Sequence, residues 1–191
     1  MAEVLLLHHA QGLTEGVRAF ADRLRRAGHM VHTPDVYDGR TFPTLDEGVA
    51  YAGRVGFDEV RLRGVRSADG LPAELVYLGC SLGVMAAQQL AQTRAGARGA
   101  VLLEACVPPA QIGAPWPAGV PVQVHGMDAD PFFAGEGDID AARALVEEAD
   151  DGELFVYPGD RHLFTDGSLP TYDAGAAALV TERVLGFLAR R

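Results

Sequence analysis

From residue 79 to residue 83 the chain reads Gly79-Cys80-Ser81-Leu82-Gly83. A serine with a glycine two places to either side suits a turn so sharp that side chains at the outer positions would collide. Such a turn ends a strand, opens a helix and lifts the hydroxyl clear of the sheet edge. A hydroxyl held there can attack a carbonyl carbon. The N–H of Leu82, at the start of the helix, can then stabilise the negative oxygen that develops. The plainer use of Ser81 is as an N-cap in a glycine-rich turn. Cys80 is the rival nucleophile and intrinsically the stronger one. The glycines flank Ser81 symmetrically and not Cys80, so Cys80 reads as a packed side chain.

A serine nucleophile needs a base, and the base needs an acid to orient it. On this kind of turn the chain order is serine, acid, histidine. Only two histidines follow Ser81. His125 sits at the end of an apolar run, where packing or a hydrogen bond accounts for it. His162 lies in Tyr157-Pro158-Gly159-Asp160-Arg161-His162, a loop after the last such run, from which it can swing over the serine. The acid is expected from His125-Gly126-Met127-Asp128-Ala129-Asp130-Pro131-Phe132. Asp128 and Asp130 both qualify, and whichever is not used can cap a turn.

The elements that must hold these groups alternate along the chain. Val4–Leu7, Met30–Thr33, Leu75–Leu78, Ala100–Leu103, Val120–Val124 and Leu154–Tyr157 are short apolar runs, as expected of strands covered on both faces. Helical spacing separates them. Val17, Phe20, Ala21, Leu24 and Ala27 follow a cap at Thr14 and precede Gly28. A second helix is predicted from Leu45 to about Val55, and a third directly after Gly83. A fourth is predicted after a cap at Asp138 or Asp140, and a last from about Thr171. This pattern is α/β, a doubly wound parallel sheet with helices on both faces. Residues 1–191 read as one domain, with Val107–Gly119 a proline-rich loop and no room for a large lid.

With 191 residues, 48% hydrophobic and 22% charged, the chain is long enough to bury one good core. No apolar run approaches the roughly 18 residues of a membrane span, and Val4–Leu7 is too short for a signal peptide. A cytoplasmic protein is the default expectation, with no membrane partner. The net charge of −10 opposes binding to nucleic acid, whose phosphates it would repel. Cys80 and Cys106 form neither a disulfide framework nor a zinc motif. His8 and His9 are adjacent on an extended segment and point to opposite sides, so no metal site is expected from them. A nucleotide-binding domain would suit Asp35 as a ribose acceptor, but the first turn, His8-His9-Ala10-Gln11-Gly12, lacks the required glycines.

Taken in order, Gly79-Cys80-Ser81-Leu82-Gly83, Pro121-Val122-Gln123-Val124-His125-Gly126 with Asp130-Pro131-Phe132, and Tyr157-Pro158-Gly159 with His162-Leu163-Phe164 resemble the landmark segments of the dienelactone hydrolase family. Pro34-Asp35-Val36-Tyr37 is similar to the family's loop after the second strand. The resemblance spans nearly the whole chain. It implies an α/β-hydrolase fold, a triad of Ser81, His162 and Asp130, and an oxyanion hole made by the N–H groups of Leu82 and Ala10. It further implies a carboxylesterase or lactonase that acts on a small-molecule ester or lactone and requires no cofactor. The founding enzymes carry cysteine at the Ser81 position and a glutamate at the His9 position. They also carry a carboxylate-binding arginine at the Asp166 position. Asp166 and the acidic charge predict a preference for neutral esters over anionic lactones, with Arg161 pointing away from the site. The alternative function is a non-catalytic small-molecule-binding protein on the same fold. The oligomeric state is open from sequence.

Overall fold

The apolar runs pair into a single six-stranded sheet in a computed structural model that describes residues 1–191. In chain order the elements are β1 (Glu3–Leu7), α1 (Glu15–Arg26), β2 (Met30–His32), α2 (Leu45–Val55), α3 (Phe57–Arg66) and β3 (Val76–Cys80). A single 3-10 turn (Ser81–Gly83) leads into α4 (Val84–Thr93). Then follow β4 (Gly99–Leu103), α5 (Pro109–Ile112), β5 (Val122–Met127), α6 (Asp138–Glu148), β6 (Gly152–Tyr157) and α7 (Ala174–Ala189). All neighbouring strands are parallel, in the order β2-β1-β3-β4-β5-β6. This is the α/β-hydrolase fold without a lid domain. No helix is long and apolar enough to cross a membrane.

Alternation along the strands builds two cores, one on each side of the sheet. Leu5, Leu7, Tyr77, Leu102 and Val124 pack with Ala52 of α2, Val60 of α3, Ala87 and Leu90 of α4, and Leu145 of α6. Leu6, Val76, Leu78, Val101 and Leu103 face the other way, against Phe20 and Leu24 of α1 and Val180, Val184 and Phe187 of α7. Both faces being covered is why the strands read as continuous apolar runs.

The strand order positions the site. From β1 the chain steps outward to β2, and β3 then returns to pair on the other side of β1. The chain thus reverses direction across the sheet at β1 and β3, and the loops at the carboxyl ends of the strands around such a switch point are where sites of open parallel sheets lie.

Some boundaries differ from the sequence reading. Helix α3 has no counterpart in it, and the proline-rich loop contains the single turn of α5. Helix α7 starts at Ala174, because the Asp173 carboxylate caps it by accepting the Ala176 N–H at 3.0 Å. Asp138 is the first residue of α6 rather than its cap. Its carboxylate instead accepts the Cys106 N–H at 3.0 Å.

Candidate active site

Strand β3 delivers Ser81 to the carboxyl edge of the sheet in a left-handed conformation, with φ at 46°. A non-glycine residue persists in that region only where its surroundings impose it. The flanking glycines show what imposes it. A Cβ at position 79 would lie 2.6 Å from the Cα of Val84, and one at position 83 would collide with the carbonyls of Leu7 and His8. The start of α4 thus sits tightly on both β3 and the end of β1.

The Ser81 hydroxyl lies 2.8 Å from His162 Nε2, and His162 Nδ1 lies 2.7 Å from Asp130 Oδ2. A carboxylate only accepts, so Nδ1 carries the proton and donates it to Asp130. That leaves Nε2 with a lone pair directed at the hydroxyl. Asp130 is fully buried, and its other oxygen accepts the Phe132 N–H at 2.9 Å. The ring of Phe132 lies 4.6 Å, centre to centre, from that of His162, which shields the imidazole from solvent. Leu163, the next residue, is also left-handed and is buried.

The residues weighed against these three lie elsewhere or are otherwise engaged. Asp128 is exposed, and it accepts the Gly159 N–H at 3.0 Å, a turn clamp. His125 is buried between Tyr157 and Gln123, hydrogen-bonded to both; burial pulls its pKa down to about 3, so it stays neutral. Burial pushes the Cys80 thiol well above its ordinary pKa, which removes the thiolate a nucleophile would need. Burial likewise pushes Cys106 up to about 12. Asp35 accepts the N–H groups of Tyr37 and Gly39, each at 2.8 Å, and so folds its own turn rather than facing a ligand.

Ala10 lies in the loop after β1, and its N–H makes no hydrogen bond within the protein. The neighbouring histidines fix that loop. The Nε2 of His8 accepts the Val36 N–H at 3.2 Å. The Nδ1 of His9 accepts the Gln11 N–H, so its Nε2 carries the proton and donates to Asp166 at 2.8 Å. No group of three or more histidine, cysteine, aspartate or glutamate side chains is arranged to hold a metal ion.

Asp166 requires a correction. The sequence reading places its charge in front of the substrate, whereas the structure buries it inside the protein. One oxygen accepts from His9 and from the Thr14 hydroxyl; the other accepts the N–H and hydroxyl of Ser168. Burial alone would raise its pKa, but the hydrogen bonds from His9, Ser168 and Thr14 outweigh that and hold it at about 2. Asp166 thereby ties the loop carrying Ala10 to the loop carrying His162. Asp166→Asn is expected to lower stability by about 2–3 kcal/mol through lost charge-assisted bonds, measured by urea unfolding. Because the folded pKa is depressed, this difference should be full above about pH 4 and shrink as pH falls toward 2. A variant as stable as the parent at neutral pH would refute the network's role. Arg161 is directed outward, donating to the Tyr172 carbonyl at 2.9 Å.

A cavity of about 160 Å3 opens beside Ser81 and His162, with Leu82, Met85, Phe132 and Asp138 in its wall. Glu104, at the end of β4, also lines it, although the sequence reading does not single it out. Its signal was an acid closing the apolar run Ala100–Leu103 at a strand's carboxyl end, where sites of open parallel sheets lie.

The comparisons with known proteins agree with this architecture. Similar solved structures include a dienelactone hydrolase from Anabaena variabilis, at TM-score 0.68 and 17% identity over 100% of this chain and 86% of that one. A dienelactone hydrolase-like promiscuous phosphotriesterase from metagenomic libraries aligns at TM-score 0.70 and 20% identity, over 100% and 86% of the two chains. Esterase 2 of Thermogutta terrifontis, phosphonylated by cyclosarin, aligns at TM-score 0.70 and 14% identity, over 99% and 82%. No curated protein matched the sequence. The model of the dienelactone hydrolase family matches residues 1–191, so this chain, from its first strand to its last helix, belongs to the dienelactone hydrolase family of hydrolases.

Proposed function

We propose that the protein is a serine hydrolase that cleaves small carboxylic esters or lactones through an acyl-enzyme. The observation that carries this reading is the hydrogen-bonded series Ser81–His162–Asp130 on a serine held in left-handed backbone. As the Ser81 oxygen bonds to the carbonyl carbon, its proton passes to His162 Nε2. The carbonyl oxygen takes up the displaced electron pair, and the N–H groups of Leu82 and Ala10 stabilise it. The imidazolium that forms is stabilised by Asp130. Collapse of this intermediate breaks the bond to the alcohol oxygen, which leaves with the His162 proton. Water then gives a proton to His162 Nε2 as its oxygen bonds to the acyl carbon. The bond from that carbon to the Ser81 oxygen breaks, and the His162 proton returns to Ser81 as the acid leaves. The residues complete this cycle without a cofactor. The structural neighbours described as an esterase and a phosphotriesterase are consistent with attack on ester bonds.

A shared acyl-enzyme makes a specific demand. Esters of one acid with different alcohols, hydrolysed in the presence of a competing alcohol, should partition between acid and new ester in one constant ratio. A ratio that changes with the leaving group would contradict the intermediate, and no turnover of any ester or lactone would contradict the function.

A further inference from the structure

Glu104 is a buried acid beside the triad that the mechanism above does not use. It is 1% exposed and sits in left-handed backbone with φ at 65°. Its own N–H is spent on the His125 carbonyl at 2.7 Å. One carboxyl oxygen accepts both the N–H and the hydroxyl of Thr165, each at 3.1 Å. The other, Oε2, is buried without a partner. Buried polar atoms are rarely left unpaired, and strained non-glycine backbone clusters at functional sites. Both features coincide here on a residue that lines the cavity next to Ser81.

A purely structural role would be to anchor the histidine loop through Thr165. That role uses one oxygen, and it explains neither the unpartnered second oxygen nor the choice of an acid. Resting on the serine-hydrolase reading, we propose that Glu104 is the charge-selecting residue of the pocket, making it take esters uncharged on the acyl side and reject those carrying a carboxylate there. The rest of the lining points the same way. Glu136 and Asp138 also border the cavity, and no arginine or lysine does. Asp166, saturated inside the protein, plays no part.

The selection should depend on pH. Burial raises the Glu104 pKa to about 7, against the opposing pull of His162 and the Thr165 hydrogen bonds and with some help from the charge of Asp130. The other titratable groups around it are Cys80 of β3, whose raised thiol stays protonated, and Asp138 of α6, whose pKa is also raised by burial. Glu104 is therefore neutral in mildly acidic solution and charged in mildly alkaline solution. A carboxylate on the substrate meets added repulsion only in the second state.

The test compares methyl 4-methylpentanoate with monomethyl succinate, which match in shape and differ by a carboxylate that stays ionised above about pH 6. Effects of pH on the triad cancel in the ratio of their kcat/KM values. That ratio, neutral over anionic, should rise on the order of tenfold between about pH 6 and 8.5, and Glu104→Gln should remove the rise. A wild-type ratio that is constant with pH overturns the proposal even if the variant fails to fold. A rise that persists in folded Glu104→Gln also overturns it, by assigning the pH dependence to a group other than Glu104. If neither ester is turned over and Ser81 resists a fluorophosphonate, the hydrolase reading itself falls, and this proposal with it.

Discussion

Replacing Ser81 by alanine is expected to lower kcat/KM for neutral esters by on the order of 10⁴–10⁶-fold, the scale seen when a triad nucleophile is removed. The alternative nucleophile one residue earlier makes this a sharp comparison. Cys80 lies in the core formed with α1 and α7, 3% exposed, with its thiol held protonated by burial. Cys80→Ala should therefore keep activity to within a few-fold while losing about 1 kcal/mol of stability from a small core void. Ser81→Ala should unfold at the parent's temperature, since alanine meets the same left-handed strain as serine at φ 46°. Comparable losses in both variants, or loss in Cys80→Ala alone, would move the nucleophile to the thiol.

Replacing Asp130 by asparagine is expected to reduce kcat by on the order of 10³–10⁴-fold. The side-chain carbonyl of the introduced asparagine can still accept the Phe132 N–H that Asp130 accepts, so the local backbone should survive. Its amide, however, would donate to His162 Nδ1 where the carboxylate now accepts from it. The imidazole proton would then move to Nε2, the atom that must receive the serine proton. Asp128→Asn should cost only a few-fold, because Asp128 holds the Gly159 N–H at the surface and an amide oxygen can do the same. Steady-state kinetics on the two variants decides the matter, and the reverse ranking would transfer the orienting role to Asp128.

The groups that these predictions concern were legible in the sequence to different degrees. The turn around Ser81 declared itself because its glycines answer a local crowding, with Val84 on one side and Leu7 and His8 on the other. The choice between Asp128 and Asp130 was not visible in spacing. Two residues apart, both can cap a turn, and only tertiary structure sends one inward and the other to the surface. Helix α3 was missed because its inner face is small. Val60 and Gly64 are its buried residues, and Gly64 is there because a Cβ would press on that of Ala86 in α4. In sequence that close packing reads as a charged stretch interrupted by glycine. Strand β5 was read short because Gly126 and Met127 look like loop residues, yet both pair with β6. The link between His9 and Asp166 joins residues 157 positions apart. Nothing in either neighbourhood announces it, and it is what turned Asp166 from a substrate-facing charge into a buried tie.

Every step of the proposed cycle depends on Ser81 being the nucleophile. Treating the folded protein with a fluorophosphonate and locating the adduct by peptide mass spectrometry tests it most directly. A single adduct on Ser81, absent from Asp130→Asn at matched exposure, is the predicted result. An adduct on Cys80, or none under conditions that fully label a control serine hydrolase, would contradict it.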